Sequence, residues 1–462
     1  LKQITSETKE LVFMFPGQGN QFVNMGKELY QNISEFKECV DYCSTLLEPV
    51  IGVDIRTVIF PSDGDYKKLK EQIDETYITQ PAIFIISYAL AKTLQNYGVN
   101  PDKLIGHSVG EYVAAAISGI MSLEDALKSV AIRGKLVFDL PQGSMLAVLL
   151  SEEDLLKILP KELCIAVINS PELIVVSGET FHIELFAKKL KNEKIFNKKL
   201  STSHAFHSKM MEPCLEDYRN YFKTVSLNEP NIPIVSSVTG KILTNIEAQS
   251  TEYWVNHVLD PVRFGDAADK VLVNESNVFF ECGPGKSLES AVKRRLDKDL
   301  KHTVISTLND QTDAVISMDN ALGKLWMENV FVDFDARFNS ANLQKIPFPL
   351  LPFNRKPHLL DFSPKLPSTI SGENPKTFIT ENWYYTPSWK KTSAIDFLPK
   401  LKKEEIPVSE KWVIFLESEL SKSLVKNLQE NGKKFYTVIK GEKYLENGTS
   451  FTINSTKKED YV

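Results

Sequence analysis

The run Gly106-His107-Ser108-Val109-Gly110 constrains the fold of this chain more than any other feature. It follows the short apolar stretch Lys103-Leu104-Ile105 and leads into Glu111-Tyr112-Val113-Ala114-Ala115-Ala116-Ile117, which reads as a helix. A G-x-S-x-G run at a strand-to-helix junction forces a tight, strained turn with the serine hydroxyl exposed at its tip. The glycines are needed because a side chain there would meet the adjoining strand and helix. The helix start also brings N–H groups and a positive dipole end beside the serine, where a developing oxyanion can be stabilised. The plain alternative is a Gly-Ser turn capping a helix; the strand-turn-helix context favours a nucleophile.

The 462 residues leave room for more than one domain around that turn. Leu11–Phe15 reads as a buried strand ending at Pro16-Gly17-Gln18-Gly19, with helices near 25–48 and 80–97. Ser122-Leu123-Glu124-Asp125 is a capping signal for a helix running to about Phe138. Residues 145–200 then alternate as βαββαβ, a ferredoxin-like order, and read as a small subdomain inserted in a larger α/β body. After it come a loop with His204 and His207, a helix near 208–224, and strands at Ile234–Ser237, Val278–Glu281 and Val304–Leu308. The alternation predicts an α/β fold with a mainly parallel sheet and functional groups at strand C-termini. From about 331 a proline-punctuated segment reads as irregular, and 411–439 reads as βαβ, a partial Rossmann-like unit. Glu417-Ser418-Glu419-Leu420 stands where a nucleotide-binding turn would need glycines, so no dinucleotide site is expected there.

Composition narrows the function. A net charge of −6 argues against nucleic-acid or anionic-membrane partners, and the strongest apolar run, around 82–90, is too short to span a membrane. The first residues carry neither an initiator Met nor a hydrophobic signal core, which reads as a fragment of a longer, cytoplasmic polypeptide. The five cysteines include no C-x-x-C pair, so neither disulfides nor a metal site is expected; Cys39 and Cys43 read as small apolar residues on one helix face. Gly285-Lys286-Ser287 lacks the first Walker glycine, since position 280 is Phe, and Gly17-Gln18-Gly19 does not continue as G-x-G-x-x-G.

A nucleophilic serine needs a base, and His204 and His207 lie in a loop that can lean over a cleft between subdomains. Arg133 falls on the apolar stripe Leu123, Ala126, Leu127, Val130, Gly134, Val137 of its helix. A buried guanidinium must be paired, either with a protein carboxylate or, as a fixed fork, with a substrate carboxylate.

Taken together, the chain resembles the malonyl-type acyltransferase domain of a modular type I polyketide synthase over roughly residues 10–310. The points of resemblance are Phe15-Pro16-Gly17-Gln18-Gly19, Thr79-Gln80-Pro81, Gly106-His107-Ser108-Val109-Gly110-Glu111, Arg133, Asn169, His204-Ala205-Phe206-His207 and Gly283-Pro284-Gly285. Arg133 and His207 follow Ser108 by 25 and 99 residues, in the family's order and spacing. The resemblance implies that Ser108 attacks malonyl-CoA, the cosubstrate, with His207 as general base held by a backbone carbonyl. It implies an oxyanion hole from the Gln18 side chain and the Val109 N–H, and Arg133 on the malonate carboxylate. Gln80, Asn169, His107, His204 and Phe206 are implied as pocket residues. Phe206 would fill the space a 2-methyl group needs, favouring malonyl over methylmalonyl, as does Val109. No bound cofactor or metal is implied. The implied partners are an acyl carrier protein, through its phosphopantetheine thiol, and neighbouring ketosynthase and ketoreductase domains.

The implied domain limits are a linker at 1–10, the acyltransferase at 11–330 with 145–200 inserted, and a following linker at 331–378. Within that linker Leu350-Leu351-Pro352-Phe353-Asn354-Arg355-Lys356 is similar to the segment that follows such domains. Residues 379–462, opening with Trp383-Tyr384-Tyr385-Thr386-Pro387-Ser388-Trp389, resemble the start of a ketoreductase's non-catalytic half. Two other classes compete: an α/β-hydrolase such as a thioesterase, and a non-catalytic carrier-docking module. The first would need a triad acid between Ser108 and His207, where none stands out. The second is disfavoured because every catalytic position is filled.

Overall fold

An unbroken apolar run such as Leu11-Val12-Phe13-Met14-Phe15 is stable as a strand only where both of its faces are covered. In the computed structural model, which describes residues 9–62, 64, 66–273, 276–296, 301–338, 412–432, 434–454 and 456–457, it forms β1 (Glu10–Phe15). The next strands are β2 (Lys103–Gly106), β3 (Ser144–Leu149), β4 (Cys164–Ser170), β5 (Leu173–Gly178), β6 (Asn197–Lys199), β7 (Ile234–Val235), β8 (Asn277–Pro284) and β9 (Thr303–Leu308). Five of them make one parallel sheet in the order β7-β2-β1-β8-β9.

The strand's period of two divides its side chains between two cores. Leu11, Phe13 and Phe15 pack with the helices on one face, where Thr76–Asn96 is buried almost throughout and lies against Ser34–Ile51 and Leu123–Phe138. Val12 and Met14 face the other way, joining Ile105, Met145, Phe206 and Phe264. Truncating a fully buried Phe13 to Ala would cost about 3–5 kcal/mol, from lost burial and the cavity left behind.

The inserted subdomain is an antiparallel sheet in the order β4-β5-β3-β6, with helices Glu152–Ile158 and Thr180–Asn192 between its strands. This is the ferredoxin-like arrangement. Leu146, Val148, Ile174 and Val176 point into its own core, while Met145 and Val175 point back at the larger body. A one-residue slip in register would exchange the two sets, so the alternation itself directs which residues face the neighbouring sheet.

Several elements differ from the sequence reading. The first long helix is two, Lys27–Asn32 and Ser34–Ile51, because Ile33 adopts an extended conformation and buries its side chain. The helix after His207 begins as a 3-10 segment, Lys209–Cys214, before the α-helix Leu215–Phe222; Pro213 lacks the N–H that a regular helix would use there. Residues 334–338, read as part of an irregular segment, form a short helix. It is tied to the body through Asp333 N–H to Tyr97 O (2.8 Å) and an Arg337–Asp319 ion pair at 2.9 Å.

The chain divides into two units, Leu1–Pro349 and Leu350–Val462. In the second, β10 (Trp412–Phe415), the helix Glu419–Glu430 and β11 (Phe435–Lys440) form the expected βαβ, with Ser418 capping the helix. Two further strands were not anticipated, β12 (Leu445–Asn447) and β13 (Ser450–Ile453), and they complete a sheet in the order β10-β11-β13-β12. The expected linker motif 350–356 and the Trp383–Trp389 motif lie outside the described residues, as do residues 1–8. Among the described residues no helix is long and apolar enough to cross a membrane.

Candidate active site

The register Phe15↔Gly106 ends β1 and β2 level with each other, so the turns that follow them lie side by side. The second turn is the strained one. Ser108 has φ of 51°, in the left-handed region that non-glycine residues rarely enter. A Cβ on Gly106 would sit 2.1 Å from Glu111 N, and one on Gly110 would sit 2.1 Å from Phe15 O, so both positions admit only glycine.

Ser108 opens into a cavity of about 410 Å³ at the C-terminal ends of β1, β2 and β8. The small subdomain supplies an apolar wall to it, including Met145, Val167, Leu173 and Val175. His207, also at positive φ (55°), reaches the same point from the loop after β6. Its Nδ1 lies 2.7 Å from the Asp260 backbone carbonyl, and its Nε2 lies 2.8 Å from Ser108 Oγ. A carbonyl can only accept, so Nδ1 carries the hydrogen and Nε2 is left to accept the serine O–H. Burial, and next the charge of Arg133, push the His207 pKa well below its ordinary value; the Asp260 carbonyl opposes them. The imidazole is therefore neutral at pH 7, as a general base must be.

Arg133 is buried, as the apolar stripe implied. Among the described residues no carboxylate forms an ion pair with it. Its NH1 donates to Gln80 Oε1 at 2.7 Å and its NH2 to Ser108 Oγ at 3.2 Å, while Nε has no partner. The Tyr112 ring lies 5.9 Å from its Cζ, within cation–π range. Hydrogen bonds to two neutral groups leave a buried full charge without a counter-ion, a costly state that an anionic ligand would relieve.

His107 and Asn169 pair with each other, Nε2 to Oδ1 at 3.1 Å, and both line the cavity. Burial lowers the His107 pKa to about 4 and keeps it neutral. Gln80 and Phe206 line the cavity as expected. The Gln18 side chain lies there too, but it is engaged with its neighbours: Nε2 is 3.4 Å from Thr76 Oγ1, and Oε1 accepts from Gln80 at 3.4 Å. No backbone carbonyl among the described residues accepts the N–H groups of Gln18 and Val109. His204 departs from expectation. It is absent from the cavity lining, because its ring is buried with Nδ1 on Ser203 Oγ (2.8 Å) and Nε2 on the Leu140 carbonyl (3.2 Å). Its place is in the packing behind Phe206, against Phe138.

The sequence reading left out Asp260, whose contribution is a backbone carbonyl and leaves no side-chain signature. The one available signal was Pro261, which holds the residue before it to extended conformations. Asn20, Ser290 and Arg294 also line the cavity and were not singled out, and so does Ser287, named only in a rejected Walker-like run. Among the described residues no group of three or more His, Cys, Asp or Glu is placed to hold a metal ion.

Known proteins are similar to this chain in sequence and fold. The acyl transferase domain family matches residues 12–329. The chain is 33% identical over 354 residues to a component of the phenolphthiocerol/phthiocerol polyketide synthase of Mycobacterium tuberculosis, covering 76% of this chain and 23% of that protein. It thus spans under a quarter of that relative's length. Its fold is similar to that of the acyl transferase domain of ZmaA, with a TM-score of 0.70 and 32% identity over 75% of this chain and 81% of that one. It is also similar to malonyl CoA-acyl carrier protein transacylase from Clostridium perfringens, with a TM-score of 0.61 and 31% identity over 70% of this chain and 98% of that one.

Proposed function

The chain belongs to the acyl transferase domain family, and on that premise we propose that it loads malonyl from malonyl-CoA onto the phosphopantetheine thiol of an acyl carrier protein. The observation that carries this reading is Arg133: a buried guanidinium with no carboxylate partner among the described residues, its NH2 3.2 Å from the serine hydroxyl. It is suited to an acyl group with a free carboxylate at its far end, and poorly suited to a neutral one. The name of the malonyl CoA-acyl carrier protein transacylase relative supports the same substrate class.

In this reading Ser108 Oγ attacks the thioester carbon as its proton passes to His207 Nε2. The tetrahedral oxyanion is held by the N–H groups of Val109 and Gln18, the backbone of Gln18 replacing the side chain expected from sequence. One such donor is worth about 3–4 kcal/mol in the transition state. Collapse breaks the C–S bond, and the leaving CoA thiolate takes the proton back from His207. The carrier thiol then gives its proton to His207 and attacks the malonyl ester carbon; the C–O bond to Ser108 breaks, His207 returns the proton to Ser108 Oγ, and the acyl group is left on the carrier sulfur. Arg133 binds the malonyl carboxylate, and Phe206 narrows the cavity where a 2-methyl group would stand. Asn169 acts by fixing His107.

No bound cofactor takes part, and the setting is cytoplasmic within a longer synthase carrying ketosynthase and ketoreductase neighbours. Competition between malonyl-, methylmalonyl- and acetyl-CoA, with the adduct on Ser108 weighed by intact mass spectrometry, tests the assignment. A dominant malonyl adduct supports it; a dominant acetyl adduct removes the role of Arg133, and a dominant methylmalonyl adduct that of Phe206.

A further inference from the structure

Glu111 stands three residues beyond Ser108, in the first turn of the helix Gly110–Ser118, and is fully buried. Its carboxylate gathers donors from two separate segments. Oε2 accepts the Ser237 N–H at 2.9 Å and the Ser237 hydroxyl at 2.5 Å. Oε1 accepts the Tyr253 hydroxyl, and His257 Nε2 lies 3.4 Å from Oε2. Burial opposes ionisation, but His257, Ser237 and Tyr253 together outweigh it and hold the carboxyl below its ordinary pKa. None of these contacts belongs to the chemistry at Ser108.

One of these segments runs directly into Asp260, and the other bonds to the chain just beyond it. Upstream, Tyr253 and His257 lead into a turn in which the Asn256 carbonyl accepts the Leu259 and Asp260 N–H groups at 2.8 and 2.9 Å. Downstream, Val262 is laced to β4 through Ala166 and Ile168, and the Arg263 N–H bonds to the Ser237 carbonyl. The Asp260 carbonyl, held between them, receives His207 Nδ1.

We propose that Glu111 is a positioning residue for the general base: one carboxylate, on the helix behind the nucleophile, ties the segment that leads into Asp260 to the Ser237 segment that braces the chain after it, and so holds the Asp260 carbonyl on His207. The inference rests on the reading of Ser108 and His207 as nucleophile and base. If the carbonyl drifts, His207 is free to place its hydrogen on Nε2, and that tautomer cannot accept the Ser108 proton.

The test is Glu111→Gln in the full chain, which keeps the side chain's size but offers an amide N–H2 to partners that donate. Time-resolved intact mass measures Ser108 loading from malonyl-CoA. The loading rate constant at saturation is expected to fall about tenfold or more, as for a misplaced catalytic group, with the half-saturating concentration within about twofold. In a His207→Ala background the same substitution should change residual loading by less than about twofold, because no base remains to be positioned. Wild-type-like loading by Glu111→Gln, or an equal loss in both backgrounds, overturns the role. Should Glu111→Gln fail to fold, Tyr253→Phe removes a single donor; its smaller loss must likewise vanish in the His207→Ala background, and an equal loss there overturns the role. Failure of the unaltered protein to load Ser108 at all overturns the functional reading together with this one.

Discussion

The two sheets that meet at the cavity deliver their residues in different ways. The parallel sheet works from strand ends: Gln18 follows β1 and Ser108 follows β2, held by backbone strain and by glycines that tolerate no side chain. Arg133 and Gln80 come from helices packed against it and are locked by a 2.7 Å hydrogen bond. The antiparallel sheet works through a face, with Met145, Val167 and Val175 exposed to the cavity by simple alternation, and Phe206 in the loop that leaves it. Reactive groups therefore sit where the backbone is over-determined. In the proposed reading, the selectivity surface sits where side chains can change without refolding the turn.

That contrast is broken or sharpened by substitution on each side. Ser108→Ala is expected to abolish the acyl-enzyme seen by mass spectrometry; a persisting adduct would identify another nucleophile. His207→Ala should slow loading about 10²- to 10⁴-fold, the usual contribution of a general base, in a stopped-flow assay of CoA release. Arg133→Ala should reduce the preference for malonyl- over acetyl-CoA by about ten- to a hundredfold, equivalent to the ~1.5–3 kcal/mol of a charged hydrogen bond. Unchanged selectivity would assign the carboxylate to another group.

Phe206→Ser should have the smallest effect, raising methylmalonyl relative to malonyl loading by about tenfold, since one methyl group is worth ~1–3 kcal/mol. A loss of all loading instead would mean that the antiparallel side is as over-determined as the parallel one.

The pH profile tests the link between the sides. His207 must be neutral to act, and its folded pKa lies well below the ordinary histidine value, so kcat/KM should hold as pH falls through about 6.5. A substrate carboxylate on Arg133 cancels the second cause of that depression. The pKa in the complex is then higher, and the acid limb of kcat should lie at higher pH than that of kcat/KM. Coincident limbs would show that the Arg133 charge is not felt at His207.

Much of this was legible in the chain. The elbow at 106–110, the parallel sheet and the ferredoxin-like insert follow from local patterns: an apolar run, alternation, and a capping serine at 122. Arg133 betrayed itself by sitting on an apolar stripe. His204 misled because a histidine in a loop carries no mark of which way its ring turns, and here the Leu140 carbonyl turned it away from the cavity. The Gln18 side chain was equally hard to place from sequence, since its amide is engaged by Thr76 and Gln80 from a helix more than fifty residues away.

By itself the sequence determined what is periodic or covalent: strand and helix type, the glycines of the turn, and the presence of a serine, a histidine and an arginine. Only the tertiary structure decided which polar atoms meet. The Asp260 carbonyl on His207 and the Glu111 carboxylate behind it lie 53 and 126 residues from their partners. Hydrogen bonds of that kind are set by packing between segments, and no local propensity encodes them.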